Sequence, residues 1–244
     1  MPISGKESVG RNILAIFTMR FRTIIQRNEM SEVSVFFLGA SGETAVMGIE
    51  PDACLLARFN PNWCNTLKKI GQGAREMRIR PGTAQDIEAV MEVVRRVVPL
   101  MRASGNLQWD ETYPNPRVFE RDVELDQLWV AEIDGAIAGV AAITTDQEPE
   151  YAKVGWDISE PAIVVHRLAV DPALRGKGIA AALMLQAEVA AKAKGIGVLR
   201  VDTNSQNEAT QKLFPKLGYT FAGEIGLSFR PGLRFLCYEK RLMR

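Results

Sequence analysis

The residues with the clearest chemical potential lie in one stretch, residues 168–180, where small and basic residues follow a hydrophobic run. Gly176 and Gly178 have no side chain, so backbone N–H groups near them can approach a ligand closely. At a helix N-terminus, unpaired N–H groups and the helix dipole favour an anion, most naturally a phosphate. Arg175 and Lys177 add positive charge. The stretch therefore predicts a phosphate-binding loop.

Other phosphate loops fit this stretch less well. A P-loop requires a glycine five positions before Gly176, where this chain has Asp171, and a hydroxyl residue after Lys177. A dinucleotide-binding loop turns directly from strand to glycine and needs several further strand–helix units. Here residues 171–175 intervene, and few residues follow Gly178. A glycine-rich turn without a ligand is the remaining alternative.

Hydrophobic periodicity predicts the elements that position this loop. Strands are expected at 77–80, 128–133, 136–144, 163–170, 198–202, 219–222 and 234–240, with Asp134-Gly135 as a hairpin turn. Helices are expected at 83–104, 118–125, 176–194 and 205–218, the last beginning with a Ser205–Glu208 capping box. This order predicts an α/β fold with a mixed sheet.

Composition excludes several classes of protein. The 244 residues include 30 Lys and Arg against 29 Asp and Glu, and this balance argues against nucleic acid as the main partner. Three cysteines and one histidine cannot form a Cys/His zinc site of usual spacing, so no metal is expected. No apolar run is long enough to predict a membrane span. Unpatterned cysteines indicate a cytoplasmic protein.

The pattern changes near residue 76. Periodicity is poor in residues 1–76, although residues 33–38 have the composition of a strand and residues 11–27 form a basic, partly apolar segment. We expect residues 1–76 to be an N-terminal extension, disordered or the product of an over-long gene start, and residues 77–244 to be the functional domain.

The domain resembles a known family. The phosphate loop follows Leu168-Ala-Val-Asp-Pro and has the form Arg175-x-x-Gly178-x-Ala180, which resembles the acyl-CoA-binding motif of the GNAT superfamily of N-acetyltransferases. The resemblance covers residues 77–244. It implies a mostly antiparallel central sheet with splayed parallel strands and helices on both faces. It also implies transfer of an acetyl group from acetyl-CoA to a primary amine, by direct attack in a ternary complex.

The same resemblance implies the residues that hold acetyl-CoA. They belong to the end of a strand and to the loop that follows, with one asparagine beyond: Leu168, Ala169, Val170, Arg175, Gly176, Lys177, Gly178, Ile179, Ala180 and Asn207. The alternative for Asn207 is a polar residue in the first turn of a helix.

A proton acceptor is needed because an ammonium group has no lone pair with which to attack a thioester. The best candidate is His166, which strict alternation places on the same strand face as Leu168 and Val170. Some family members also carry a histidine at this place. Glu132 and Glu160 are weaker candidates.

A proton donor for the leaving thiolate is less evident. Many family members have a tyrosine where this chain has Phe214, and a phenyl ring cannot donate a proton. Either Tyr219 or Tyr238 replaces it, or the thiolate leaves unprotonated.

The acceptor is expected to meet a loop rich in aromatic and acidic residues, with aromatic walls and carboxylates that attract an amine: Gln108, Trp109, Asp110, Glu111 and Tyr113, together with Trp156. The expected acceptor is a small-molecule or peptide amine, and a homodimer is left open. Alternatives are a non-catalytic acyl-CoA-binding module and a nucleotide-dependent oxidoreductase.

Overall fold

A computed structural model describes three short strands, Ile25–Arg27 (β1), Val33–Leu38 (β2) and Thr44–Val46 (β3), and then residues 77–242 without interruption. The chain divides into two compact units, residues 1–76 and 77–244. In the first unit the three strands form an antiparallel sheet in the order β1-β2-β3. Most of the basic segment 11–27 lies outside the described residues, so the expectation of a disordered or over-long extension stays a prediction.

The second unit is a mixed α/β fold. Its strands are β4 (Met77–Pro81), β5 (Leu128–Ile133), β6 (Ala136–Thr144), β7 (Ile163–Val170), β8 (Val198–Asn204), β9 (Thr220–Ile225) and β10 (Phe235–Arg241). Its helices are α1 (Ile87–Ala103), α2 (Pro116–Glu124), α3 (Ile179–Ala193) and α4 (Glu208–Lys216). The seven strands form one sheet in the order β4-β5-β6-β7-β8-β10-β9, and only β7 and β8 pair in parallel. The predicted mostly antiparallel mixed sheet is confirmed.

The hairpin between β5 and β6 follows from two residues. Asp134 has φ 52° and Gly135 has φ 80°, the left-handed conformations that a tight two-residue turn requires. The Asp-Gly pair therefore sets the register of the two strands next to the core.

The main hydrophobic core lies between α1 and the sheet. The helix buries a stripe of aliphatic side chains, Ile87, Val90, Val93, Val94, Val97 and Val98. They pack with Phe119 of α2 and with Leu128, Val130 and Val140 of the sheet. The turn before α1 is held by Asp86, which accepts hydrogen bonds from Arg80 (2.7 and 2.8 Å) and from the Thr83 N–H (2.8 Å). The Arg80 guanidinium lowers the pKa of Asp86 to about 2.

Two helix starts differ from the prediction. The Ser205–Glu208 capping box is wrong, because Asn207 is the N-cap of α4 and its side chain accepts from the Thr210 N–H at 3.4 Å. Helix α3 begins three residues later than expected, because Gly178 has φ 78°, which is not a helical conformation.

Among the described residues, no helix has the length and apolar character that crossing a membrane needs.

The sheet opens between its two parallel strands. β7 and β8 are eight and seven residues long, but their pairing is limited to Ile163 with Leu199 and Val164 with Arg200. Beyond these pairs the strands diverge, as predicted. The carboxyl halves of β7 and β8 therefore border a gap in the middle of the sheet.

Candidate active site

A cavity occupies the gap between β7 and β8. Residues 165–168 line it from β7, and Val201, Asp202 and Thr203 line it from β8. Gln108, Trp109 and Tyr113 contribute from the segment between α1 and α2, and Glu148 contributes from the connection between β6 and β7. The cavity thus collects polar groups from both strands and from two connecting segments.

A β-bulge explains why four consecutive residues of β7 face one cavity. The pairing of β6 with β7 shifts register between Val140 and Ala142, and Arg167 has the left-handed φ of 54°. A bulge breaks the alternation of side chains along a strand. The prediction that strict alternation places His166 on one face with Leu168 and Val170 is therefore wrong for Val170, although His166 and Leu168 do share the cavity. His166, Arg167 and Leu168 all line the cavity, whereas Val170 does not.

His166 is oriented by a backbone carbonyl. Its Nε2 lies 3.3 Å from the carbonyl oxygen of Asp146. Because a carbonyl only accepts hydrogen bonds, this contact places the proton of a neutral imidazole on Nε2. The lone pair of Nδ1 is then available to accept a proton.

Two carboxylates share the cavity with His166. Asp202 accepts a 2.5 Å hydrogen bond from the Tyr151 hydroxyl, and burial raises the pKa of Asp202. Burial likewise raises the pKa of Glu148. Within the described part of the chain, the Glu148 carboxylate forms no hydrogen bond and no ion pair.

Two arginines also line the cavity, and each has an acidic partner. Arg167 donates from Nε and Nη2 to both carboxylate oxygens of Asp122, at 2.8 and 2.6 Å. Arg230 donates to Asp110 at 2.9 Å, and its guanidinium lies 5.0 Å from the centre of the Tyr113 ring. Both arginines of the lining thus have an acidic partner within the protein.

The predicted phosphate loop follows the end of β7. A 3₁₀ turn, Pro172–Leu174, is capped by Asp171, which accepts from the Ala173 N–H at 2.9 Å. Gly176 and Gly178 follow with φ of 81° and 78°. A Cβ on either glycine would meet no atom within 4 Å, and residues 175–177 are exposed. The loop therefore presents its backbone to open space at the start of α3, which fits a phosphate group.

The residues predicted to bind the cofactor divide between loop and cavity. Leu168 and Asn207 line the cavity, Ala169 is buried, and residues 175–180 form the loop and the first turn of α3. Asn207 both caps α4 and lines the cavity, so the two interpretations of this residue are compatible.

Three of the six residues predicted to contact the acceptor line the cavity. They are Gln108, Trp109 and Tyr113, and Gln108 also accepts the Asn204 N–H at 3.1 Å. Trp156 does not line it, because its ring packs against Arg200, at 4.9 Å, and Tyr151, at 5.1 Å.

Asp110 and Glu111 were also expected to attract the amine, and this prediction is wrong. Asp110 accepts from the Thr112 and Tyr113 N–H groups and binds Arg230, while Glu111 is exposed. Neither lines the cavity.

The tyrosines predicted to protonate the leaving group lie outside the cavity lining. Tyr219 and Tyr238 pack against Phe214 with ring-centre distances of 5.9 and 5.3 Å, and only Phe214 faces the cavity. The Tyr219 hydroxyl is buried without a hydrogen-bond partner among the described atoms, and burial raises its pKa. Their placement contradicts the predicted role.

The weaker proton-acceptor candidates are also placed elsewhere. Glu132 pairs with Arg80 at 2.8 Å, and Glu160 pairs with Arg241 at 2.9 Å and with Arg200 at 3.3 Å.

Within the described residues, no group of three or more His, Cys, Asp or Glu side chains could hold a metal ion.

Sequence reasoning missed several polar residues of the cavity lining, Glu148, Arg167, Asp202, Thr203, Thr210 and Arg230, and also Tyr151, which donates to Asp202. Asp202 had a usable signal, since it is an acidic residue at the end of the apolar run Val198-Leu-Arg-Val. Glu148 and Tyr151 lie in a connection without periodicity, and nothing in the sequence around Arg167 marks the bulge.

Arg200 holds the connection that carries Asp146 and Glu148. Its side chain is fully buried, and it donates to the Gln147 side-chain oxygen, to the Asp157 carbonyl at 3.0 Å and to Glu239 at 3.1 Å. Gln147 in turn donates from Nε2 to the Ile158 and Glu160 carbonyls at 3.0 and 2.9 Å. The residues on either side of Gln147 are thereby fixed beside His166.

We expect Gln147→Ala to lower the free energy of unfolding by about 1–3 kcal/mol, because the buried Arg200 guanidinium loses an acceptor. Urea denaturation measures this change. The control is Lys212→Ala, which removes an exposed pair with Glu208 and should cost under about 0.5 kcal/mol. Equal stability of the two variants would show that Gln147 does not anchor the connection.

Comparison with known proteins places this arrangement among acetyltransferases. The acetyltransferase (GNAT) family model matches residues 97–219. The uncharacterized N-acetyltransferase YesJ of Bacillus subtilis (strain 168) is 24% identical over 147 residues, a match that covers 59% of this chain and 81% of YesJ.

Solved structures show the same fold. A GNAT-family acetyltransferase from Streptococcus agalactiae 2603 has a TM-score of 0.57 and 26% identity, covering 69% of this chain and 96% of that one. The Salmonella typhimurium protein yncA, whose structure contains its cofactor acetyl-CoA, has a TM-score of 0.52 and 21% identity, covering 69% of this chain and 95% of that one.

Proposed function

The chain belongs to the acetyltransferase (GNAT) family, and from this premise we propose that it transfers an acetyl group from acetyl-CoA to a primary amine. The observation that carries the proposal is the gap between β7 and β8, which has a phosphate loop at the end of β7 and His166 on its wall. We assign this function to residues 77–244.

Two parts of the site suit acetyl-CoA. The backbone N–H groups of residues 175–180, with Arg175 and Lys177, suit the pyrophosphate. The diverging strands offer backbone groups around Leu168 to an extended chain, and Asn207 faces the same space. Acetyl-CoA supplies the acetyl group as a thioester, an acyl donor that a neutral amine attacks.

His166 is the proposed proton acceptor. With Nε2 directed at the Asp146 carbonyl, Nδ1 can take the proton that the amine must lose. In the net reaction the amine nitrogen bonds to the acetyl carbon, the carbon–sulfur bond breaks, and CoA departs as thiol or thiolate in a ternary complex. Phe214 has no proton to give, which favours departure of the thiolate.

The absence of a phenol at Phe214 also favours a second candidate function, a non-catalytic acyl-CoA-binding module. One assay separates the two candidates. The purified protein is mixed with acetyl-CoA and a panel of primary amines, and free CoA is measured with a thiol reagent.

We expect amine-dependent release of CoA with a matching mass increase of one acetyl group on at least one amine. Tight binding of CoA without acetylation of any amine would support the binding module instead. No binding of CoA would contradict both functions.

A further inference from the structure

The acidic and basic side chains that line the cavity differ in whether they form ion pairs. Both carboxylates of the lining, Glu148 and Asp202, lack an ion pair within the described part of the chain. Both lining arginines have one: Arg167 with Asp122 and Arg230 with Asp110. Among the described residues, the lining thus contains two acidic side chains without an ion pair and no arginine without one.

One of the two arginines, Arg167, is poorly placed to receive an external carboxylate. Arg167 already binds both oxygens of Asp122, whose side chain is 4% exposed. An incoming carboxylate would have to displace this buried partner and approach the two lining carboxylates, and like charges brought together in a desolvated site repel strongly. The cavity thus disfavours amino acids and other zwitterions.

Aromatic side chains form the apolar part of the lining: Trp109, Tyr113, Phe214, Phe229 and Phe235. Phe229 is 53% exposed, an unusual exposure for so large an apolar side chain. Aromatic faces bind apolar groups and also attract cations. The walls therefore suit an apolar body attached to a positively charged nitrogen.

From these contacts we infer that the acceptor is a cationic amine with an apolar body and no carboxylate on the carbon next to its nitrogen, and that Glu148 selects it. The inference rests on the proposed acetyl transfer and specifies the class of amine. Glu148 is the selecting residue because Asp202 already accepts the Tyr151 hydroxyl, whereas the Glu148 carboxylate has no partner in the described residues. An ammonium group would supply that partner.

Matched pairs of acceptors test the class directly. Phenethylamine and L-phenylalanine differ by one carboxylate, as do tryptamine and L-tryptophan. We expect kcat/KM to be at least about tenfold higher for the amine of each pair. A higher kcat/KM for either amino acid than for its amine would overturn the inference and leave acetyl transfer intact.

Glu148→Gln tests the selecting residue, with Glu120→Gln as control. Glu120 is exposed on α2 and is not part of the cavity lining, so its substitution makes the same charge change away from the site. Glu148→Gln should lower kcat/KM for phenethylamine about tenfold and lower that for L-phenylalanine less, because relief of the repulsion of its carboxylate offsets the lost contact with its ammonium group. A uniform change for both acceptors, or no change beyond the control, would overturn the assignment of Glu148.

Binding measurements separate this inference from the proposed function. Calorimetric titration of the protein with phenethylamine, without acetyl-CoA, should show weaker binding to the Glu148→Gln variant than to the Glu120→Gln variant. Phenethylamine that binds in this way but is never acetylated would contradict the proposed function while supporting the recognition by Glu148. Equal binding to both variants would contradict the recognition.

Discussion

The Gly178→Val variant is expected to bind CoA at least about 100-fold more weakly than the wild-type protein. Gly178 is the N-cap of α3 with φ 78°, and the space around its Cα is open. Valine is strained in this conformation, so the loop must change its backbone. Its side chain would also stand in the space that the phosphate is proposed to occupy. Calorimetric titration with CoA measures the loss.

Gly195→Val is the matched control for that variant. Gly195 lies just beyond the other end of α3 and has φ 68°, and a Cβ at this position would likewise meet no atom within 4 Å. The same backbone strain is thus imposed on the same helix away from the loop. The control should lose thermal stability to a similar extent and keep its affinity for CoA. Equal affinities of the two variants would show that residues 175–180 do not bind the pyrophosphate.

His166→Gln should lower kcat/KM for acetyl transfer by roughly 10²–10⁴-fold, the usual contribution of a general base. Affinity for CoA should change little, because the proposed phosphate contacts come from backbone groups of another segment. Glutamine can still form hydrogen bonds but cannot accept a proton from the amine, so the loss measures proton acceptance by His166.

The ionisation of the acceptor amine also lowers kcat/KM at low pH, because an ammonium group cannot attack the thioester. The wild-type protein and the His166→Gln variant must therefore be compared across pH with amines of different basicity. A low-pH limb that follows the amine and survives His166→Gln would exclude His166 as the proton acceptor. Glu148, which lies in the same cavity with a pKa raised by burial, would then take that role.

Local sequence signals predicted the scaffold of the site well. The strand β7, the glycine loop and α3 follow one another along the chain, and each is specified by nearby residues: an apolar run, glycines with positive φ, and an alanine-rich helix. The divergence of β7 and β8 was predicted too, although through the resemblance to a family rather than through periodicity.

Features that depend on distant residues could not be predicted. Trp156 is an aromatic residue of the kind expected in an acceptor pocket. Its ring instead packs against the buried Arg200 of β8, away from the cavity. Likewise Tyr219 and Tyr238 are phenols that could replace the missing proton donor, but they pack against Phe214 and lie outside the cavity lining. Bulges and contacts between distant residues override the regular alternation of side chains along a strand. Neither produces a periodic signal in the sequence.

The limited pairing of β7 with β8 has a consequence for self-association. A sheet that opens in its middle exposes unpaired strand edges, and an unpaired edge is a template for a strand of another molecule. Here the Arg167 bulge distorts one edge, and the side chain of Gln108 occupies the Asn204 N–H on the other. A bulged edge and an occupied N–H group both hinder strand addition. The gap can therefore stay open to an extended ligand while resisting aggregation through the same backbone groups.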